Sequence, residues 1–125
     1  MINTGALIET LVGEIGNILP CYYDRAKKDA QFPYCVLTGI NPSDLAAGDL
    51  VMFDLEVWGN DRLPRAAEKL EEHCDSLRND LQGALIRNEG AFAGHIGFEG
   101  RDTSEDRVTD LLHRRLFFSA RIFYF

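Results

Sequence analysis

Three histidines, His73, His95 and His113, and three cysteines, Cys21, Cys35 and Cys74, have the strongest claim to metal or thiol chemistry in this chain. Their spacing argues against it. No HxH, HxxxH, HExxH or CxxC occurs, the patterns that put two ligands within reach of one ion. His73 and Cys74 are adjacent, so on a helix they point in different directions, and His95 lies among glycines. An odd set of cysteines without close spacing fits reduced, buried thiols better than a disulfide framework or a zinc site.

Asp54 and Glu56 share one face of any strand they occupy, and two carboxylates so placed superficially match a general acid–base pair. Basic residues expected opposite them give a simpler explanation, a salt-bridge ladder across a sheet. There is no GxGxxG and no GxxxxGK[ST], and the glycines after Gln82 are spaced for turns rather than for a phosphate cradle. Ser43, Ser76, Ser104 and Ser119 lack a GxSxG setting. The expectation is no catalytic residue, no metal, no cofactor and no enzyme.

The bulk numbers narrow the class further. A chain of 125 residues with 46% hydrophobic and 26% charged residues suits a single domain, 1–125, with one core. A formal charge of −7 argues against a protein that grips phosphate backbones, so no nucleic-acid-specific binding is expected. No apolar run approaches the roughly 20 residues that span a bilayer, and no basic segment precedes an apolar one at the start. No membrane role and synthesis in the cytoplasm are the expectations.

The elements that must position these residues centre on Asp49–Asp61. Val51, Phe53, Leu55 and Val57 alternate with Met52, Asp54, Glu56 and Trp58, the period of a strand with one buried side. Gly59-Asn60 reads as a turn, Asp61 as an N-cap, and Arg62 to about Leu81 as a helix. Leu63, Ala67, Leu70, Cys74, Leu77 and Leu81 form its apolar stripe. Before this unit comes a helix from about Asn3 to Asn17, capped by Asn3 or Thr4 and ended by Pro20. Leu7, Ile8, Leu11, Val12 and Ile15 line it, and Gly13 and Gly16 read either as close helix contacts or as weak points.

Cys21-Tyr22-Tyr23 has the makings of a short edge strand, and Tyr34–Ile40 of a second strand that hairpins with the central one through the turn cluster Asn41-Pro42-Ser43-Asp44. A short strand at Ala93–Glu99 and a long one at Leu112–Phe125 follow, with Arg101–Asp110 as a charged loop between them. The fold class expected is α/β of the α+β kind. It has a mixed, largely antiparallel sheet of about four to five strands, with two main helices on one face, in the order α-β-β-α-β-β.

If the central and last strands are neighbours, Asp54 and Glu56 sit across from Arg115 and Arg121, each pair contributing roughly 0.2–1 kcal/mol. Met52, Trp58, Phe117 and Phe123 share that face. A face half aromatic and half charged is unusual for plain solvent exposure and reads as a surface that another copy or another protein covers. The segment Arg101-Asp102-Thr103-Ser104-Glu105-Asp106-Arg107 reads equally as a solvated connection or as a docking loop.

Taken in order, these segments resemble the tail completion, or tail terminator, proteins of tailed bacteriophages and prophages, a family related to minor tail and head-to-tail joining proteins. The resemblance rests on the N-terminal helix, the strand Phe32-Pro33-Tyr34-Cys35-Val36-Leu37, the strand Phe53-Asp54-Leu55-Glu56-Val57-Trp58 with its following helix, and His113-Arg114-Arg115-Leu116-Phe117-Phe118. It spans nearly the whole chain and is weakest over Ala84–Asp110.

The resemblance implies a hexameric ring of identical subunits on the finished tail tube, ending tube polymerisation and presenting a surface to the head. Its partners would be further copies of itself, the major tail tube protein and the head connector or neck protein, and its location the virion, after synthesis in the bacterial host cytoplasm. The loops Asn41–Asp49 and Gly100–Asp110 are then expected to touch tube or connector. The subunit and partner interface is expected at Asp44, Asp49, Asp54, Glu56, Trp58, Arg101, Asp102, Glu105, Asp106, Arg107, Arg115 and Arg121. Two other readings stay open. One is a head-completion or neck adaptor. The other is a small cytoplasmic ligand-binding or enzyme-accessory domain with a pocket lined by Tyr22, Tyr23, Phe92 and Phe98.

Overall fold

The computed structural model describes residues 3–45, 47–60, 64–102 and 111–124. Helix α1 (Thr4–Gly16) begins where Asn3 places its side chain to accept from the Ala6 backbone N–H at 3.2 Å. Leu7, Leu11 and Ile15 are its buried stripe. Gly13 and Gly16 approach nothing, since a Cβ at either would find open space within 4 Å. They weaken the helix without buying a closer contact.

Six strands follow around the second helix: β1 (Cys21–Tyr23), β2 (Tyr34–Leu45), β3 (Gly48–Asn60), then α2 (Ala66–Leu81), then β4 (Leu85–Asn88), β5 (Phe92–Asp102) and β6 (Leu111–Tyr124). They form one sheet in the order β1-β2-β3-β6-β5-β4, parallel at β1–β2 and antiparallel elsewhere. The mixed, largely antiparallel sheet with two helices is as expected. The strand number is not: among the described residues there are six, and the order is α-β-β-β-α-β-β-β. The strand missed is β4, four residues among Gly83, Gly90 and charged positions, too short to show a period.

Three boundaries also move. Asn41-Pro42-Ser43-Asp44 is not a turn but the outer half of β2, paired with Met52 to Asp49 after a register shift beyond Thr38. Gly39, with φ +64°, lies in that shift. Gly59-Asn60 is not a turn either. It completes β3 against Leu112 and Leu111, because the long β6 offers a ladder that outweighs local turn preference. The helix expected from Arg62 begins at Ala66, and Arg65 before it holds φ +56° with no side-chain cap. Asp61, expected to cap it, and Leu63 lie outside the described residues. Ala67 faces solvent, so the buried stripe is Leu70, Cys74, Leu77 and Leu81.

The core is one cluster. Val51, Phe53, Leu55 and Val57 of β3 and Leu116, Phe118, Ala120 and Ile122 of β6 meet the stripes of both helices. Phe53 and Phe118 stack with ring centroids 5.6 Å apart. Burying each such side chain contributes roughly 1.5–3 kcal/mol. Helix α2 lies on β3, β6 and β5, whereas α1 reaches both β1 and β4, the two edges, so the sheet curls around it.

Candidate interaction surface

With both helices on the concave side, the convex face of the sheet carries the residues singled out from the sequence. The registers arrange them in rows. At one end Tyr34, Trp58 and His113 lie side by side, then Val36, Glu56, Arg115 and Asp102, then Thr38, Asp54, Phe117 and Gly100. Further along come Asn41, Met52, Ser119 and Gly97, and last Ser43, Leu50, Arg121, His95 and Leu85.

The expected neighbourhood of β3 and β6 therefore holds, and one of its charge pairs forms. Arg115 Nη2 donates to Glu56 Oε1 at 2.7 Å. The other does not. Arg121 sits between Leu50 and His95, and Asp54 faces Phe117, because the register places an aromatic where the ladder needed a cation. Burial pushes the Asp54 carboxyl above its ordinary value and the neighbouring Glu56 adds to this, while Arg115 pulls it down. Ser119 Oγ donates to Glu99 Oε1 at 2.6 Å.

The aromatic end is tightly built. Trp58 and His113 stack at 4.3 Å between ring centroids, Tyr22 meets Tyr34 edge-on at 5.8 Å, and Phe32 stacks on Tyr34 at 5.2 Å. Burial holds His113 below its ordinary pKa, and its Nε2 is buried with no hydrogen-bond partner among the described residues. Toward the far end large apolar groups are left in the open: Met52, Phe123, and Leu85 at 80% exposure.

Several residues expected on the surface are engaged inside the chain instead. Asp49 is buried and accepts from the Tyr124 hydroxyl. Arg101 and Asp102 are not in a loop but end β5. Arg101 turns to the concave side, where it pairs with Glu71 and reaches Asp75 of α2 at 3.5 Å. Asp44 stays exposed on the β2–β3 arm. Glu105, Asp106 and Arg107 lie outside the described residues.

The aromatics of the ligand-binding alternative do not gather: Phe92 is in the core and Tyr23 points to solvent. Among the described residues no three His, Cys, Asp or Glu side chains are placed to hold a metal. No described helix is long and apolar enough to cross a membrane.

Sequence reasoning missed Leu85, which lies in a strand without a period, and His113, whose stacking on Trp58 depends on register. The alternation of both strands, once aligned from the Glu56–Arg115 pair, would have found His113.

No protein-family profile matches the chain, and no curated protein sequence does. Its fold is similar to that of a chain in a solved structure described as "Virion of native gene transfer agent (GTA) particle". The likeness has a TM-score of 0.72 at 16% identity and covers 96% of both chains. What the two share is the fold.

Proposed function

We propose that this chain is a non-enzymatic virion assembly protein of the tail-terminator kind. It caps the end of a phage-like tail tube, stops tube polymerisation and helps join tail to head, as a ring of identical subunits, six by the family resemblance. The observation that carries this reading is the fold shared over 96% of both chains with a component of a gene transfer agent particle. The convex face supports it. The exposed Met52, Phe123 and Leu85, with Arg121 on the same face, give the mix of apolar and cationic groups that protein interfaces favour. The partners are further copies of the chain, the tube protein and the head connector, and the working location is the virion, after synthesis in the host cytoplasm.

A charge of −7 keeps free subunits apart in dilute solution. On a tube end the template aligns them, and each weak head-to-tail contact becomes effectively intramolecular. The interface is drawn from members of the expected set that stay exposed: Arg121, with Trp58, Glu56, Arg115 and Asp54 on the same convex face, and Asp44 on the β2–β3 arm.

The test is negative-stain electron microscopy of particles from an induced lysogen lacking this gene. Overlong or unattached tails beside filled heads are the expected result. Tails of normal length that fail to attach would move the protein to the head side as a neck adaptor. Infectious particles of normal appearance would overturn the assembly reading.

A further inference from the structure

The three cysteines, 14 and 39 positions apart in the chain, converge at one corner of the concave face. Cys21 of β1 and Cys35 of β2 are Cα partners in the parallel register. Adjacent strands lie about 4.8 Å apart, inside the Cα separations that a disulfide spans. All three thiols are free. Cys35 is fully buried, while Cys21 is half-buried on a three-residue edge strand.

We propose that Cys21 and Cys35 form a thiol–disulfide exchange site for low-molecular-weight disulfides of the glutathione class. Exposure assigns the roles: Cys21 is half-buried, while Cys35 is fully buried. The hydrogen bond from Cys35 agrees, favouring the Cys21 thiolate, and burial holds Cys35 as the thiol. The thiolate is the nucleophile in exchange, so the half-buried Cys21 attacks and the fully buried Cys35 resolves.

In the first step Cys21 Sγ bonds to one sulfur of the small disulfide, and the other sulfur leaves as a thiolate that takes a proton from water. In the second step Cys35 loses its proton, its sulfur bonds to Cys21 Sγ, and the second small thiol leaves. Two protein thiols are oxidised by two electrons and one small disulfide is reduced to two thiols. The product staples β1, and α1 before it, to β2. Cys74 of α2 is the remaining thiol of the corner, pushed up to about 11 chiefly by burial, and takes no part. This site stands independently of the assembly reading.

The full chain and its Cys74→Ser and Cys35→Ser variants are incubated with excess oxidised glutathione at mildly alkaline pH. Intact mass and peptide mapping are then read without reduction. The wild-type chain and Cys74→Ser should each lose two hydrogens, with the bond mapped to Cys21 and Cys35. Cys35→Ser should retain one glutathione at Cys21. A Cys74→Ser chain that keeps a stable mixed disulfide or stays unmodified would overturn the proposal. So would a wild-type bond mapped to Cys74. Both of these readings survive even if Cys35→Ser does not fold.

Discussion

Arg114 Nε lies 2.7 Å from Glu71 Oε1, so a guanidinium only 8% exposed on the concave side of β6 is neutralised by a carboxylate of α2. The same Glu71 takes Arg101 from β5. One acidic side chain thus ties α2 to the two strands beneath it, and removing it takes a carboxylate from both cations.

Glu71→Gln should destabilise the fold by about 2 kcal/mol, by weakening the ion pair of the buried Arg114, the loss being moderated because Glu71 is 41% exposed. Arg101→Glu should cost at least as much, since it sets two carboxylates against each other under Arg114. Urea unfolding measures both. A midpoint unchanged in Arg101→Glu would return Arg101 to the solvent-facing docking role that the sequence proposed.

The glycines should divide by location. Gly48 has φ +97°, and a Cβ there would lie 2.0 Å from the Ile122 carbonyl oxygen. Gly48→Ala should therefore cost several kcal/mol, on the order of 2–4, by combining backbone strain with displacement of β6. Gly13→Ala meets nothing and should stabilise α1 by about 0.5–1 kcal/mol. Thermal unfolding of the two variants should move in opposite directions.

Stability should fall with acid through His113. Burial pushes its pKa below the ordinary 6.5, with Arg115 and Arg114 adding to that and Glu56 and Asp102 pulling it back up. The fold holds the neutral ring, so the unfolded chain takes the proton first. The contribution is complete above pH 6.5 and is lost as pH falls from 6.5 toward the lower folded midpoint. An NMR titration should place that midpoint below 6.5, and His113→Phe should flatten the slope of stability against pH in that range. A midpoint at or above 6.5 would count against the half-buried, stacked ring.

On the convex face, Phe123→Asp and Met52→Asp should leave stability within about 0.5 kcal/mol, because both side chains are exposed. If this face is a contact of the assembled ring, each should weaken that contact by about 2 kcal/mol, roughly 30-fold in affinity. Complementation of the deletion lysogen reads this out as a drop in titre with unattached tails. Full complementation by both variants would move the interface off this face.

Period alone determined the parts of this protein that bury a face along their whole length. The alternation of Val51, Phe53, Leu55 and Val57 and the spacing of Leu70, Cys74, Leu77 and Leu81 made β3 and the core of α2 legible, because each side chain's placement follows from its own backbone. That Glu56 and Arg115 each lie on the outward face of their strands was legible for the same reason; that they meet was not.

What tertiary structure alone decided is everything that depends on a partner strand. Gly59-Asn60 and Asn41–Asp44 extend rather than turn because β6 and β3 lie alongside to take their hydrogen bonds. Leu85 becomes an exposed edge residue only through β5, and Arg101 becomes a clamp only because Glu71 arrives from α2. The meeting of Cys21, Cys35 and Cys74 needed two strands and a helix to be set side by side. Local spacing carries no record of such encounters, since their free energy lies in contacts between residues far apart in the chain.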